Sequence, residues 1–243
     1  MPSRGGPPET AGRWAVLPAL DDDPTRRAHA VAERLLDRHG VVTRGAVASE
    51  RVPGGFAAVY KVLSAFEETG RCRRGYFVGS LGAAQFGTSG SIDRLRTYAE
   101  VPDDAKPVAV ALAATDPANP YGAALPWPDR PERAEGESPD SRSGHRPGRK
   151  AGALVVLVDG ALTLYVERGG KTLLTWPDAP ELLEPATQAL AEAARRGALG
   201  RMTVERADGE QLLGAGATPL RAALDAAGFV ATPRGLRLRA SGA

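Results

Sequence analysis

The stretch PGGFAAVYKVLSAFEETGRCRRGYFV, residues 53–78, decides the fold that this sequence predicts. Its first half carries apolar side chains three and four residues apart, which is helical spacing, and Gly70 ends that helix. Residues 71–78 read as a strand, and the glycine-bearing stretch 79–90 reads as a loop. A helix followed by a strand and a glycine-rich loop is the last part of a winged helix-turn-helix.

The residues before this stretch supply two more predicted helices. Residues 25–39 place their apolar side chains at helical spacing, the acidic run 21–23 favours the helix N-terminus, and Gly40 closes the helix. Thr43 can cap a short second helix that ends before Pro53. Three helices and a strand fit a winged helix, whose third helix usually reads a groove, but they also fit a generic helical domain.

Composition indicates a soluble globular chain of one large or two ordinary domains, with 243 residues, 42% hydrophobic and 25% charged. The absence of a long apolar run argues against a membrane protein, and the first residues lack a secretory signal, so we expect a cytoplasmic protein. A single cysteine, Cys72, permits no internal disulfide. The three histidines lie far apart, and we expect no metal and no cofactor in this chain.

The charge balance does not by itself indicate nucleic acid, because 31 Lys plus Arg against 29 Asp plus Glu leaves a formal charge of +2. One local cluster stands out near the end of the third helix and in the strand that follows. Its cations could contact phosphates and its aromatic rings could stack on unpaired bases. The predicted DNA-binding residues are therefore Lys61, Arg71, Arg73, Arg74, Tyr76 and Phe77. The alternative is a solvated face in an arginine-rich protein.

We divide the chain into a disordered tail (1–12), a winged-helix domain (13–100) and an α+β module (101–240) with a disordered insertion at 129–150, which is nearly devoid of apolar side chains. Hairpin turns at 159–160 and 169–170 join apolar runs, which predicts an antiparallel meander that forms a β-barrel-like module with flanking helices. The alternating residues 236–239 predict an edge strand with outward arginines, either for phosphate contact or for edge protection.

Two short strings suggest chemistry. Residues 169–172, Gly-Gly-Lys-Thr, resemble the end of a phosphate-binding loop, but Tyr165 stands where that loop needs glycine, and β-like residues follow. Asp116 lies in a proline-rich turn at a strand exit, where it is a candidate catalytic residue. The ordinary reading of Asp116 is a carboxylate that bonds its own turn.

Longer strings carry a resemblance that covers roughly residues 12–239. They are LLDRHGVVTRGAV (35–47), PGGFAAVYKVL (53–63), FEETGRCRRGYF (66–77), LGAAQF (81–86), ATDPANPYG (114–122) and RKAGALVVL (149–157). Together they resemble the C-terminal region of the large helicase-related (Lhr) family of superfamily 2 ATP-dependent DNA helicases. The resemblance implies a winged helix and a barrel-like module that serve DNA repair, with DNA and the upstream helicase domains as partners.

The same pairing of modules is similar to the helix-turn-helix DNA glycosylases. The chain departs from both families, because it lacks the helicase motor motifs, so that ATP and Mg²⁺ belong to the parent protein. It also lacks the Gln-apolar-Gln or Gln-apolar-Asp element of those glycosylases, since Gln85-Phe86-Gly87 stops one residue short. Three hypotheses follow: a DNA-binding accessory region of a helicase, a DNA glycosylase acting on a damaged or deaminated base, and an oligomerisation module.

Overall fold

A computed structural model describes residues 15–99, 105–129, 146–176, 180–197, 202–213 and 218–239 of the chain. The predicted tail, residues 1–12, and residues 130–145 of the predicted insertion lie outside the described residues. The described residues contain both helices and strands, so the α+β class is confirmed.

The winged-helix prediction is confirmed in its element order. The elements are α1 (Pro24–His39), β1 (Val41–Val42), α2 (Arg44–Ser49), α3 (Gly55–Glu68), β2 (Arg73–Gly75), β3 (Gln85–Gly87) and α4 (Ser89–Ala99). The carboxylate of Asp23 caps α1 by accepting from the backbone N–H of Thr25 at 2.8 Å. Thr43 caps α2 in the same way, and Gly40 ends α1 with a positive φ of 67°.

Strand β3 was not predicted, since residues 79–90 read as a loop. It lies between β1 and β2 in a three-stranded antiparallel sheet of order β1-β3-β2. The sheet and the three helices enclose one hydrophobic core, composed of Ala32, Leu35, Leu36, Val42, Val47, Val59, Leu63, Phe66, Cys72 and Phe86. The central position of β3 therefore completes the base of the wing, which we define as residues 76–84.

The second unit begins with the predicted meander. Its strands are β4 (Ala109–Ala113), β5 (Leu154–Val158), β6 (Ala161–Val166) and β7 (Thr172–Thr175), each paired antiparallel with the next. After a 3₁₀ turn at Pro180–Leu182 come α5 (Leu183–Arg195), β8 (Thr203–Val204), β9 (Arg206–Ala207), β10 (Glu210–Gln211), α6 (Pro219–Ala226), β11 (Phe229–Thr232) and β12 (Gly235–Leu238).

The barrel prediction is wrong for the described residues, because the sheets are open. The larger sheet has six strands in the order β10-β9-β7-β6-β5-β4, and its outer strands β10 and β4 do not pair with each other. The chain leaves this sheet instead of closing it: β8 pairs with β12 in a second sheet of order β11-β12-β8. Helix α5 packs against β4, β5 and β6, so a helix covers the face that a closed barrel would fill with strand side chains.

Strand β12 is also placed differently from the prediction. It pairs with β11 on one side and with β8 on the other, so the strand with alternating arginines is central and not an edge strand. A single core joins this sheet, α5, α6 and the inner face of the larger sheet. No helix in the described parts of the chain has the length and apolar character needed to cross a membrane.

Candidate nucleic-acid interface

The wing is held in shape by one buried side chain, Gln85, which has no solvent exposure. Its Oε1 accepts from the backbone N–H groups of Phe77 at 3.0 Å and Val78 at 2.8 Å. Its Nε2 donates to the carbonyl oxygens of Val78 at 2.8 Å and Gly82 at 2.9 Å. Four hydrogen bonds from a single amide thus fix both ends of the wing relative to β3.

The two aromatic residues predicted to stack on bases differ in exposure. Tyr76 is 63% exposed, and its hydroxyl accepts from the backbone N–H of Ser80 at 3.1 Å, which orients the ring on the wing. Phe77 is half-buried, and its ring lies so close to Gly75 that a Cβ there would be 2.7 Å from the ring edge. Tyr76 is therefore available for stacking, whereas Phe77 packs against the strand.

Two of the predicted cations, Lys61 on α3 and Arg73 on β2, are exposed, and neither has an ion pair among the described residues. Arg73 and Arg74 are neighbours in a strand, so their side chains leave opposite faces of the sheet. The positive charge of Lys61 and Arg73 is thus not offset by a carboxylate in contact.

The other two cations are already engaged by carboxylates. The Arg71 guanidinium lies over the Phe66 ring at 4.4 Å from its centroid and donates to the Glu33 carboxylate, which lowers the pKa of Glu33. Arg74 donates to the Tyr60 hydroxyl at 2.8 Å and forms an ion pair with Glu67 at 3.3 Å. Arg74 thus fastens β2 to α3, and Arg71 fastens the segment before β2 to α1 and α3. Both pairings leave less net positive charge there for a phosphate.

Helix α3 offers few groups that could identify a base. Its exposed side chains are small or charged, namely Ala57, Ala58, Lys61, Ala65 and Glu68. Direct base reading in the major groove depends on Arg, Lys, Asn, Gln or acidic side chains that face base edges. The surface of α3 is therefore suited to contact without sequence preference.

The loop with Asp116 is built as a rigid turn. Asp116 Oδ1 accepts from the backbone N–H of Ala118 at 2.8 Å, which is the bond of an Asx turn. Asn119 is fully buried and donates to the carbonyl oxygen of Ala114 at 2.9 Å. Asp116 is partly buried and is occupied with its own backbone in this geometry.

Sequence reasoning gave no role to Arg149, which contacts this loop from a distant part of the chain. Its guanidinium donates to the carbonyl oxygens of Asn119 at 2.7 Å, Thr115 at 3.0 Å and Asp116 at 3.0 Å. Since 34 residues separate Arg149 from Thr115, no local pattern could have indicated the contact. Residues 146–150, at the end of the predicted insertion, therefore take part in the packed structure.

The chain that follows the Asp116 loop contacts the winged helix. Its backbone lies so close to α2 that a Cβ at Gly45 would be 2.5 Å from the carbonyl oxygen of Ala124. A cavity of about 370 Å³ lies beside this contact and is lined by residues of both units, including His39, Arg94 and Leu125. The loop thus places the second unit directly against α2 of the winged helix.

Comparison with known proteins agrees with this architecture. The winged-helix domain of the large helicase-related protein matches residues 21–107. A Mycolicibacterium smegmatis protein named "Lhr helicase/ probable uracil glycosylase" is 51% identical over 243 residues, covering 98% of this chain and 15% of that relative. An Escherichia coli strain K12 protein named "Lhr helicase/uracil glycosylase" is 40% identical over 231 residues, covering 94% of this chain and 14% of that relative.

The chain belongs to the large helicase-related (Lhr) family. The predicted resemblance is thereby confirmed. The chain spans only a small part of the length of the two Lhr relatives.

Residues 169–172 do not fit a phosphate-binding loop. Gly169 and Gly170 form the turn between β6 and β7, and Thr172 begins a strand where a phosphate loop requires a helix. Lys171 forms an ion pair with Glu205 at 3.1 Å. In the part of the chain that the structure describes, no three His, Cys, Asp or Glu side chains group together as metal ligands.

Proposed function

We propose that this chain is the DNA-binding C-terminal accessory region of a longer Lhr-type ATP-dependent helicase, and that it holds a DNA strand while motor domains elsewhere in the polypeptide move it. The observation that carries the proposal is the rigid wing, which presents Tyr76 next to a strand with the unneutralised Arg73. A fixed aromatic ring and a nearby cation suit a backbone that carries phosphates and exposed bases.

We expect DNA binding to depend mainly on phosphate contacts and to show no preference for base sequence. Lys61 and Arg73 supply charge without a carboxylate in contact, while the exposed face of α3 has few groups that read base edges. Arg71 and Arg74 have carboxylate partners, so we expect them to contribute more to packing than to DNA affinity. Since each neutralised phosphate releases counterions, affinity should fall steeply as salt rises.

The test is fluorescence anisotropy with a labelled oligonucleotide at several salt concentrations. The double variant Lys61→Glu/Arg73→Glu should flatten the log-log salt dependence by about 1.4–1.8 units, which is two phosphates at about 0.7–0.9 each. The matched control is Arg34→Glu/Arg168→Glu, which changes net charge equally at two exposed arginines on α1 and after β6. Equal flattening by both variants would show that only net charge matters and would refute the assigned surface.

Uracil excision is a second candidate, because both relatives carry uracil glycosylase in their names. Asp116 is the carboxylate to test, and Asp116→Asn keeps the oxygen that accepts from Ala118 while it removes the charge. Base release from a uracil-containing oligonucleotide that stops in Asp116→Asn would assign catalysis to this residue. If the variant still releases uracil, Asp116 is only a turn residue. If the unaltered chain releases no uracil, excision is not an activity of this chain.

Self-association is a third candidate, favoured by the open edge of the larger sheet. Val108 and Val110 are 65% and 43% exposed at the edge strand β4, which has no charged side chain to deter pairing. Light scattering of the unaltered chain and of Val110→Lys tests this candidate. A monomer in both samples contradicts it, whereas an oligomer that the lysine dissociates supports pairing through β4.

A further inference from the structure

The C-terminal hairpin presents arginines on a sheet face that the proposed function has not used. Leu236 of β12 is buried and Leu238 packs against the core, so the alternate residue Arg237 projects from the opposite face and is exposed. Arg239 continues the same alternation, and Arg234 lies in the turn that precedes β12. We call Arg234, Arg237 and Arg239 the arginine face.

Edge protection does not explain these arginines. Charged side chains protect strands whose backbone groups lack a neighbour, but β12 has β11 on one side and β8 on the other. The residues opposite Arg237 on those strands are Val230 and Thr203, neither of which is charged. An arginine at the centre of this small sheet therefore needs an explanation other than edge protection.

The arginine face also lacks ion pairs of the kind that Lys171 and Arg221 make in this unit. Lys171 contacts Glu205 at 3.1 Å, and Arg221 contacts Asp225 at 3.8 Å. Within the described ranges, Arg234, Arg237 and Arg239 have no carboxylate within ion-pair distance. Three guanidinium groups on one hairpin thus stay without a counter-charge from the protein.

We propose that the arginine face is a second contact for the phosphate backbone of a nucleic acid strand, an inference that rests on the DNA-binding function proposed above. Residues two apart on a strand are about 7 Å apart, a step close to that between successive phosphates of an extended strand. Each guanidinium can donate two parallel hydrogen bonds to one phosphate.

The arginine face has no aromatic side chain with which to stack on a base, because Phe229 of the same hairpin is buried. This contact differs in that respect from the wing, where Tyr76 is exposed. The arginine face therefore adds salt-sensitive, sequence-independent affinity without stacking. A strand long enough to reach both surfaces gains from the two contacts together.

The test compares Arg237→Glu/Arg239→Glu with the control Arg34→Glu/Arg168→Glu, again by anisotropy of a labelled single-stranded oligonucleotide across salt concentrations. We expect the arginine-face variant to flatten the salt dependence by about 1.4–1.8 units and the control to leave it nearly unchanged. Arg237→Gln/Arg239→Gln removes the charges without adding acids, and its melting temperature shows whether the hairpin still folds. Arg237→Lys/Arg239→Lys keeps the charges and should retain most of the salt dependence.

The outcomes separate this proposal from the function on which it rests. If Lys61→Glu/Arg73→Glu flattens the salt dependence and neither arginine-face variant does, the wing binds DNA and the arginine face is refuted. If the unaltered chain binds no oligonucleotide, both proposals fail. If it binds vesicles with anionic lipid through Arg237 and Arg239 but does not bind DNA through them, the arginine face serves a membrane surface and the nucleic-acid assignment is overturned.

Discussion

Replacing Gln85 by methionine tests whether one buried amide shapes the wing. Methionine keeps a similar volume but loses the polar atoms that accept from Phe77 and Val78 and donate to Val78 and Gly82. A typical hydrogen bond contributes about 1 kcal/mol net, so four of them predict a loss of about 4 kcal/mol. For a chain of this size, that loss corresponds to a decrease in melting temperature of about 8–16 °C.

Denaturant unfolding measures this change in free energy, and hydrogen exchange at the Phe77 and Val78 amides locates it. Both amides should exchange faster in Gln85→Met, because their acceptor has gone. The matched control is Gln188→Met, the same substitution at an exposed position of α5, which should change the free energy by less than about 0.5 kcal/mol. A similarly small effect of Gln85→Met would refute the structural role.

The same variant bears on function. Gln85 occupies the string that stops short of the glycosylase element, and all four of its hydrogen bonds go to the wing backbone. If Gln85 were catalytic, Gln85→Met would stop base release without changing the free energy of unfolding. A structural glutamine would instead lose stability and DNA affinity together, because Tyr76 would no longer be held on an ordered wing.

Three further predictions concern the second unit. Gly235→Ala should lose roughly 2–4 kcal/mol in denaturant unfolding, because a Cβ there would collide with the Val204 carbonyl oxygen, whereas Gly79→Ala, which meets open space, should not. Arg149→Met should lose about 3 kcal/mol in the same assay, because three carbonyl oxygens lose a charged donor. Burial raises the pKa of the Tyr165 phenol, so the stability that the neutral phenol contributes is full below pH about 10 and is lost at higher pH. In a titration followed by tyrosinate absorbance, the step at the highest pH should be absent from Tyr165→Phe.

Sequence reasoning succeeded where the signal was local. The ends of α1 follow from Asp23 and Gly40, which act on backbone groups within four residues. The turn at 159–160 joins β5 and β6 because Asp159 and Gly160 both adopt a positive φ, as the hairpin turn requires. Such features depend on a few adjacent residues and can be read without knowledge of the fold.

Sequence reasoning failed where strands pair with partners that are distant in sequence. Strand β3 has three residues next to alanine and glycine, and it forms because β1 and β2 bind it from both sides. The closure of a barrel would require pairing between β4 and β10, and alternation within a strand does not show which strand lies beside it. The same limitation made β12 look like an edge strand.

The arginines show why charge counts alone identify no surface in this chain. Arg71 and Arg73 are two residues apart and looked equivalent, yet Arg71 meets a carboxylate from 38 residues earlier, whereas Arg73 has no such partner among the described residues. A guanidinium already bonded to a carboxylate must give up that bond to hold a phosphate, so its net gain is smaller. Exposure without a counter-charge is not sufficient by itself, because Arg34 and Arg168 share it among the described residues. What distinguishes Arg73 is its position beside the wing, and what distinguishes Arg237 and Arg239 is their spacing along one face of a strand.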